Sequence, residues 1–271
     1  MPDPVLITTD VDRTLIFSPR ATRQLGGGLP AEAVEIPGGQ TAGELCRAAR
    51  DAIAALPGHV LMCLATSRSL ARLARLALPF GVHYAVAANG GVILVGGKPD
   101  LEWAGIIRRD LRGVAPARSV RALLARFAGL PWLERLDEPD EPDELCCLAL
   151  VDRAALPDGQ FDEIAESCGE LGWRASLIGR KLYAFPVGIG KERAAAFVAG
   201  RMEQETGVPP LRLAAGDTEH DLAMLEAADL AWVPAGSDLA ASPAGRFKVT
   251  TLPGHCAAAQ ITREWLEASL R

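Results

Sequence analysis

Short apolar runs alternate with longer helical stretches along most of the chain. We predict core strands at VLITT (5–9), VLMCLAT (60–66), YAVAA (84–88), LRLAA (211–215), LAWVP (230–234) and FKVT (247–250). We predict helices over 41–55, 69–77, 191–206, 220–227 and 256–269. The first of these helices opens with Thr41 and Glu44 at capping-box spacing. Strands that alternate with helices are typical of an α/β fold, and near-continuous apolar strands suit a parallel sheet that is covered on both faces.

The stretch from 99 to 184 has a different pattern. It predicts helices and strands at 119–128, 131–136, 145–151, 159–171, 173–178 and 181–185. This is an α+β unit of its own, so we predict an inserted domain over 99–184 within a first domain made of 1–98 and 185–271. We interpret the acidic run ERLDEPDEPDEL (134–145) as a solvated loop. The Gly- and Pro-rich stretch 18–40 predicts a long loop, with room for a small hairpin around AVEI.

Composition narrows the classes of protein. Of the 271 residues, 49% are hydrophobic and 23% are charged, which is ordinary for a globular protein. A net charge of −6 gives no overall basic footprint for nucleic acid, and no run approaches the roughly 18 apolar residues of a membrane span. The first residues lack a basic region followed by a long apolar one, so we expect a cytoplasmic protein. The six cysteines lack metal-ligand spacing, and we expect them to be reduced and mostly buried.

Polar side chains follow the first two predicted strands. Asp10 and Asp12 come directly after the first strand, and because they are two residues apart both carboxylates can face one reacting centre. Thr66 and Ser67 follow the second strand, where hydroxyls and the free N–H groups of a helix start can hold a phosphate. A plainer interpretation stays open for each pair, because the aspartates can form a polar turn and Ser67 can be an N-cap.

Two more motifs follow later in the chain. Lys191 opens a predicted helix after a Gly-rich turn, but Phe185 excludes a Walker A motif and Arg193 excludes a Rossmann fingerprint. A lone lysine at a helix start is often solvated. Asp217 follows a predicted strand, with Asp221 four residues on, and it can be either a metal ligand or an N-cap.

These motifs all follow predicted strands, so we expect one edge of the sheet to gather them. Asp10, Asp12 and Asp217 supply the oxygen ligands that Mg²⁺ prefers. The metal and Lys191 would offset the repulsion between neighbouring carboxylates.

The stretches DVDRT, TSR, GIGKERA and GDTEHD resemble, in order and spacing, the four motifs of the haloacid dehalogenase superfamily of phosphatases. The insertion lies where the Cof-like and sucrose-phosphatase-like branch carries a large cap, and AANGG (87–91) is similar to a stretch of that branch. The resemblance covers nearly the whole chain. It implies a Rossmann-like, doubly wound parallel sheet core with an inserted α+β cap domain.

The resemblance also implies roles for the motif residues. Asp10 would be the nucleophile that forms an aspartyl-phosphate, and Asp12 would protonate the leaving oxygen and later deprotonate water. Thr66 would hydrogen-bond the phosphoryl group, and Lys191 would pair with phosphate and Asp10. The implied ligands of Mg²⁺ are Asp10, the backbone carbonyl of Asp12, and Asp217, with Asp221 in support.

Five further residues are expected near the substrate. Ser67 and Arg68 belong to the second motif, and Asn89 beside the insertion can contact the leaving group or form a plain turn. Arg13 stands where the family usually has Gly; we expect its side chain to point away from the aspartates, into an ion pair or toward the substrate. His220 stands where the branch usually has Asn, and it can replace the amide or alter the metal shell.

The sequence thus favours a Mg²⁺-dependent phosphatase acting on a small phosphomonoester, such as a phosphorylated sugar, sugar acid or nucleotide-like metabolite. A phosphotransferase or mutase on the same scaffold, and a catalytically silent binding module, are the alternatives. A small substrate is expected because an inserted cap can close over the sheet edge that carries Asp10 and exclude water and bulky substrates. A second anionic group on the substrate could meet one or two of the arginines at 108, 109, 112, 118, 121 and 126. The oligomeric state is not predicted.

Overall fold

The fold is taken from a computed structural model that describes residues 2–26, 28–35, 41, 43–138, 145–241 and 246–270. Strands and helices are numbered along the chain. The strands of the largest sheet are β1 (Val5–Thr9), β5 (Val60–Ala65), β6 (Tyr84–Ala87), β7 (Val92–Val95), β8 (Lys98–Pro99), β13 (Leu211–Ala215), β14 (Leu230–Val233) and β15 (Lys248–Val249). They lie in the order β15-β14-β13-β1-β5-β6-β7-β8. The pairs from β15 to β6 are parallel, and β7 and β8 extend the edge in antiparallel pairing. All six predicted core strands lie in this sheet.

Helices cover both faces of the large sheet, as its apolar strands predict. The covering helices are α2 (Arg47–Ala54), α4 (Leu101–Asp110), α7 (Lys191–Thr206), α8 (Leu222–Glu226) and α9 (Gly254–Ser269). Successive side chains of β1 point to opposite faces: Ile7 packs in the core under α2 and α9, and Leu6 packs in the core under α4, α7 and α8. The centre of the sheet, at β1, is therefore its most enclosed part.

A three-stranded antiparallel sheet corrects the prediction for 18–55. Its strands are β2 (Ile16–Phe17), β4 (Gly43–Cys46) and β3 (Ala31–Glu35), in that order, and α1 (Pro19–Leu25) lies between β2 and β3 along the chain. The predicted helix start at 41–46 is wrong, because β4 pairs with strands on both sides and α2 begins only at Arg47. The predicted long loop is wrong over 19–25, where α1 forms. The small hairpin expected around AVEI is matched by β3, which pairs antiparallel with β4, and residues 36–40 lie outside the described residues.

A second antiparallel sheet lies within the predicted insertion. Its strands are β9 (Leu133–Leu136), β10 (Cys147–Val151), β11 (Trp173–Ile178) and β12 (Lys181–Pro186), in the order β11-β12-β10-β9. The helices α5 (Ala117–Ala125) and α6 (Gln160–Glu170) share a separate hydrophobic core with this sheet. We call the unit formed by β9–β12, α5 and α6 the cap. The domain boundaries stay a prediction, and α4, which was assigned to the insertion, packs against the large sheet through Trp103 and Ile107.

The six cysteines are free, and all except Cys256 are buried, in line with the expectation of reduced core residues. Of the predicted acidic loop, residues 139–144 lie outside the described residues. Among the helices that the structure describes, none combines the length and the apolarity needed to cross a membrane.

Candidate active site

The candidate site lies at the carboxyl end of β1, the central strand. Asp10 follows β1 directly, and its N–H donates to the carbonyl of Ala215 at 2.8 Å, which ties it to the end of β13. Thr66 follows β5 on the other side of β1. These strand ends meet at one edge of the sheet, as the sequence predicts.

Lys191 reaches this edge by a different route from the one predicted. It is the first residue of α7, and the strand before it is β12 of the cap rather than a strand of the large sheet. Its side chain is 1% exposed, so the interpretation of a solvated lysine is wrong. The Nζ atom donates to Asp10 Oδ1 at 2.5 Å and to Asp221 Oδ1 at 2.6 Å. The turn between the cap and α7 therefore delivers a buried cation to the aspartates.

Three buried carboxylates form the acidic part of the site. Asp10, Asp217 and Asp221 each bring an oxygen atom within 4.8 Å of the others. Asp221 Oδ2 accepts the backbone N–H groups of Asp217 and Thr218, both at 3.1 Å. Thr218 is the N-cap of the following short helix, so the interpretation of Asp217 as an N-cap is wrong. The Asp217 carboxylate is left facing the cluster.

Crowding of negative charge shifts the proton affinities of this cluster. Burial raises the pKa of Asp10 to about 7, helped by the charges of Asp221 and Asp12 and opposed by Lys191. Burial and the neighbouring charge of Asp10 raise the pKa of Asp217 well above its usual value. Burial acts to lower the pKa of Lys191, but its two carboxylate partners raise it. The cluster holds more negative charge than Lys191 alone balances, and such a site favours a cation.

The residues present fit Mg²⁺. Among the residues that the structure describes, the donor atoms of this cluster are carboxylate oxygens without thiolate or imidazole partners, which is the chemistry that hard divalent cations prefer. Burial, together with neighbouring carboxylates, raises the pKa values of Asp10 and Asp217, so keeping both ionised requires more positive charge than Lys191 provides. A dication held by these two residues would supply it.

Asp12 is held apart from this cluster by Arg68. The guanidinium donates from Nε and Nη2 to the two oxygens of Asp12, both at 2.7 Å. Its third nitrogen lies 2.8 Å from Oε2 of Glu35, a buried residue at the end of β3. Burial acts to raise the pKa of Asp12, but Arg68 lowers it overall. Arg68, which was expected to bind substrate, fixes Asp12, and Glu35 was not predicted as a site residue at all.

The second motif contributes two hydroxyls with separate partners. Thr66 is buried, and its Oγ1 accepts the backbone N–H of Arg68 at 3.1 Å. Ser67 Oγ lies 3.1 Å from His220 Nδ1. The N-cap of the next helix, α3 (Leu70–Leu73), is Ser69, so the interpretation of Ser67 as an N-cap is wrong.

His220 connects the large sheet to the cap. Its Nδ1 lies 3.1 Å from Ser67 Oγ, and its Nε2 lies 2.6 Å from the hydroxyl of Ser176 on β11. The ring packs edge-on against Tyr183 and Phe185 of β12. Burial, with the charge of Lys191 next, lowers the pKa of His220 to about 3, so the imidazole is neutral at pH 7. Both ring nitrogens are engaged with hydroxyls, which was not predicted because Ser176 lies in a different sheet.

Arg13 forms an ion pair with Asp217, which matches the ion-pair alternative of the prediction. Its backbone has a φ of 65°, the left-handed conformation that glycine adopts most easily. From this conformation the Nε atom lies 3.7 Å from Asp217 Oδ2, with 48% of the side chain exposed. Asn89 also has a positive φ, of 55°, but it is fully buried and is not among the residues that line the cleft.

A cleft of about 750 Å³ opens between the aspartates and the cap. Its walls include Asp10, Asp12 and Asp217 on one side and Lys181 and Tyr183 of β12 on the other. One or two of the six arginines at 108–126 were expected to face the cleft, and Arg121 is the member of that set that lines it. The cleft therefore places the aspartates beneath the cap sheet, with room for more than a phosphate group.

The fold is shared with known phosphatases. No protein-family model matches the sequence, and no curated protein matches it either. The sucrose-phosphatase from Synechocystis, solved with sucrose and phosphate, is 16% identical and has a TM-score of 0.62 over 98% of this chain and 99% of that one. A sugar phosphatase of haloacid dehalogenase subclass IIB is 13% identical, with a TM-score of 0.61 over 96% of this chain and 98% of that one. A Thermoplasma acidophilum protein reaches a TM-score of 0.65 at 13% identity, over 99% of each chain.

These similarities confirm the fold class, an α/β core with an inserted cap. The chain has the fold of the haloacid dehalogenase superfamily, as its four motifs led us to expect.

Proposed function

We propose that this chain is a Mg²⁺-dependent phosphatase that hydrolyses a small phosphomonoester through an aspartyl-phosphate on Asp10. The observation that carries the proposal is the convergence of Asp10, Lys191 and Asp217 at the end of β1, beneath the cap. Phosphoryl transfer requires in-line positioning and neutralisation of charge, and this arrangement is suited to both. The phosphatases of the same fold support the same reaction class.

Each half of the reaction uses residues of this chain. An Asp10 carboxylate oxygen attacks phosphorus, the bond from phosphorus to the ester oxygen breaks, and Asp12 gives that oxygen a proton. Asp12 then takes a proton from water, whose oxygen attacks the phosphorus, and phosphate leaves as Asp10 is regenerated. Lys191 orients Asp10 and offsets the charge on the phosphoryl oxygens, while the hydroxyl of Thr66 donates to one of them. In the present arrangement Arg68 keeps Asp12 ionised, which suits the water-activating half. For the first half Asp12 must take up a proton from solvent, which requires its ion pair with Arg68 to open when the substrate binds.

Mg²⁺ would be held by Asp10 and Asp217, with Asp221 in support. When bound, the metal neutralises negative charge on the transferring phosphoryl group. Arg13, close to Asp217, is a further cation at this end of the cleft and is placed to face a phosphoryl oxygen.

The substrate is a small molecule in this proposal. The cap covers the aspartates, and the cleft volume lies in the range of small-molecule sites. The sucrose-phosphatase and the subclass IIB sugar phosphatase share this fold, which favours a phosphorylated sugar or sugar acid as the substrate class.

The test measures phosphate release from p-nitrophenyl phosphate and a panel of small phosphorylated metabolites, with Mg²⁺ and after chelation. We expect activity that depends on Mg²⁺ and falls at least about a thousandfold in Asp10→Asn, because an amide is a poor nucleophile. The matched control is Asp158→Asn, an exposed carboxylate of the cap away from the cleft.

Asp10→Asn and Asp158→Asn should melt within a few degrees of each other, so that lost activity is not lost folding. Near wild-type turnover by Asp10→Asn would refute the mechanism. Full activity after exhaustive chelation would refute the metal dependence. Transfer of the phosphoryl group to added alcohols without release of phosphate would identify a phosphotransferase instead.

A further inference from the structure

With a dication at the aspartate cluster, the cleft would carry more positive charge than one phosphate group requires. Nine arginine and lysine side chains line it, against seven carboxylates. Two of those carboxylates, Asp10 and Asp217, belong to the cluster that is suited to a dication. With that dication bound, the excess of positive charge in the cleft would be larger still.

Several of these cations are already balanced by the protein. Arg68 is paired with Asp12 and Glu35, and Arg72 and Arg135 share the carboxylate of Asp137. Because these arginines already have carboxylate partners that fix their positions, they do not require an anion from the substrate. The remaining question is which cation faces the cleft without a partner.

Three cations that line the cleft, Arg20, Arg75 and Lys181, have no ion pair within the part of the chain that the structure describes. Of these, Lys181 lies on the cap sheet across the cleft from the aspartates, and its Nζ is 6.0 Å from the centroid of the Tyr183 ring. Lys181 and Tyr183 are two residues apart on β12, so they share one face of the cap sheet, and both line the cleft. Leu182, between them, points to the opposite face and is buried in the core of the cap. The strand therefore presents the Lys181 ammonium to the cleft.

The position of Lys181 also identifies the part of the substrate that it faces. Lys181 lies on the cap side of the cleft, across from Asp10 and Asp12. The phosphoryl group that Asp10 attacks would lie at the other side, where Lys191 contacts Asp10. A group held by Lys181 would therefore belong to the leaving group, which extends from the phosphorus toward the cap.

From these observations we infer that the leaving group of the substrate carries a second anionic group, a carboxylate or another phosphate, and that Lys181 binds it. This inference rests on the proposed phosphatase function and narrows its substrate class. An ammonium group is a compact charge with three donors, which suits either anion.

The experiment compares substrates that differ by one anionic group. Glycerol 3-phosphate is paired with 3-phosphoglycerate, and glucose 6-phosphate with 6-phosphogluconate and with glucose 1,6-bisphosphate. Wild-type kcat/KM should be at least about tenfold higher for the substrate with the added anion in one series or both, as expected for a charge-assisted hydrogen bond. The comparison of the substrates with an added carboxylate and those with an added phosphate shows which anion the cleft accepts.

The variant is Lys181→Met, and the control is Lys98→Met, an exposed lysine on β8 outside the cleft. In each pair one substrate carries the second anion and the other lacks it. In Lys181→Met, the kcat/KM of the first divided by that of the second should fall about tenfold or more. Lys98→Met should keep the wild-type ratio. Lys181→Glu should reverse the preference.

Two results would overturn the inference. One is a wild-type preference for the substrates without the second anion, and the other is a kcat/KM ratio that Lys181→Met leaves unchanged, as an equal loss on both members of a pair would. p-Nitrophenyl phosphate separates this failure from a failure of the proposed function. If the wild-type protein hydrolyses it with Mg²⁺, the phosphatase assignment stands whatever the ratios show; if no substrate is hydrolysed, the assignment itself fails.

Discussion

Replacing Lys191 with methionine tests the charge balance of the site most directly. The ammonium group donates to Asp10 and Asp221 at 2.5 and 2.6 Å, and the side chain is 1% exposed. Methionine is an unbranched side chain of similar length without the charge, so packing changes little while the carboxylates lose their cation. Breaking a buried ion pair by removing one partner costs about 3–5 kcal/mol. That cost is a large part of the total stability of a typical domain.

The loss of stability converts to a measurable shift of Tm. In a protein of this size, 1 kcal/mol corresponds to about 2–4 °C. We therefore expect Lys191→Met to melt roughly 6–20 °C below the wild-type protein in buffer with chelator. Mg²⁺ should narrow this gap, because a dication between Asp10 and Asp217 replaces part of the missing positive charge and binds the variant at least as well. Activity should stay low in both conditions, since Asp10 has lost the group that orients it.

Thermal melts are followed by tryptophan fluorescence with chelator and with saturating Mg²⁺. They give the difference in Tm between Lys191→Met and the wild-type protein in each condition. Lys98→Met is the matched control, because it removes an exposed lysine outside the cleft. If Lys191→Met melted within 2 °C of Lys98→Met in chelator, the reasoning about the buried ion pair would be refuted. A gap that Mg²⁺ leaves unchanged would refute the shared role of metal and lysine.

Three further predictions concern neighbouring residues. Asp217→Ala should raise the Mg²⁺ concentration for half-maximal activity at least about tenfold in a metal titration, because a charged ligand is lost; an unchanged titration would contradict its role. Glu35→Gln should lower kcat several-fold with little change in KM, since the carboxylate steadies Arg68, which in turn fixes Asp12; a change confined to KM would contradict this. Ser176→Ala and His220→Ala should each lower kcat/KM, because each removes the same hydrogen bond between core and cap. The double variant should therefore be no worse than His220→Ala alone, and additive losses would argue against that bond.

The sequence predicted the parts of the site that follow from strand ends. Asp10, Thr66 and Asp217 lie at neighbouring strand ends because an apolar run fixes where each parallel strand stops, and parallel strands stop at one edge. Lys191 was predicted as part of the site for the wrong geometric reason, since it comes from the cap rather than from the large sheet. The four-motif resemblance identified it where strand periodicity alone could not.

Glu35 and Ser176 were missed because nothing local marks them. Glu35 acts through Arg68, 33 positions away along the chain, and Ser176 through His220, 44 positions away. Both lie on antiparallel strands whose pairing partners a hydrophobic pattern does not specify. By contrast, α1 could have been found, because Ser18 as N-cap followed by Pro19 is a recognisable helix start.

The path of the chain between cap and core connects the proposed substrate-binding lysine to the carboxylate that is proposed to attack. The strand β12 presents Lys181 to the cleft and, after the turn at 187–190, continues into Lys191 beside Asp10. This turn packs against the chain that follows β6: a Cβ on Gly90 would lie 2.1 Å from the carbonyl oxygen of Gly190, so the two backbones touch. Because Gly90 also has a φ of 105°, a side chain there would meet both steric and conformational resistance. Two backbones in contact cannot move aside as a flexible side chain can. If the substrate displaces β12, either Lys191 moves with the strand or the contact between Gly90 and Gly190 resists the displacement.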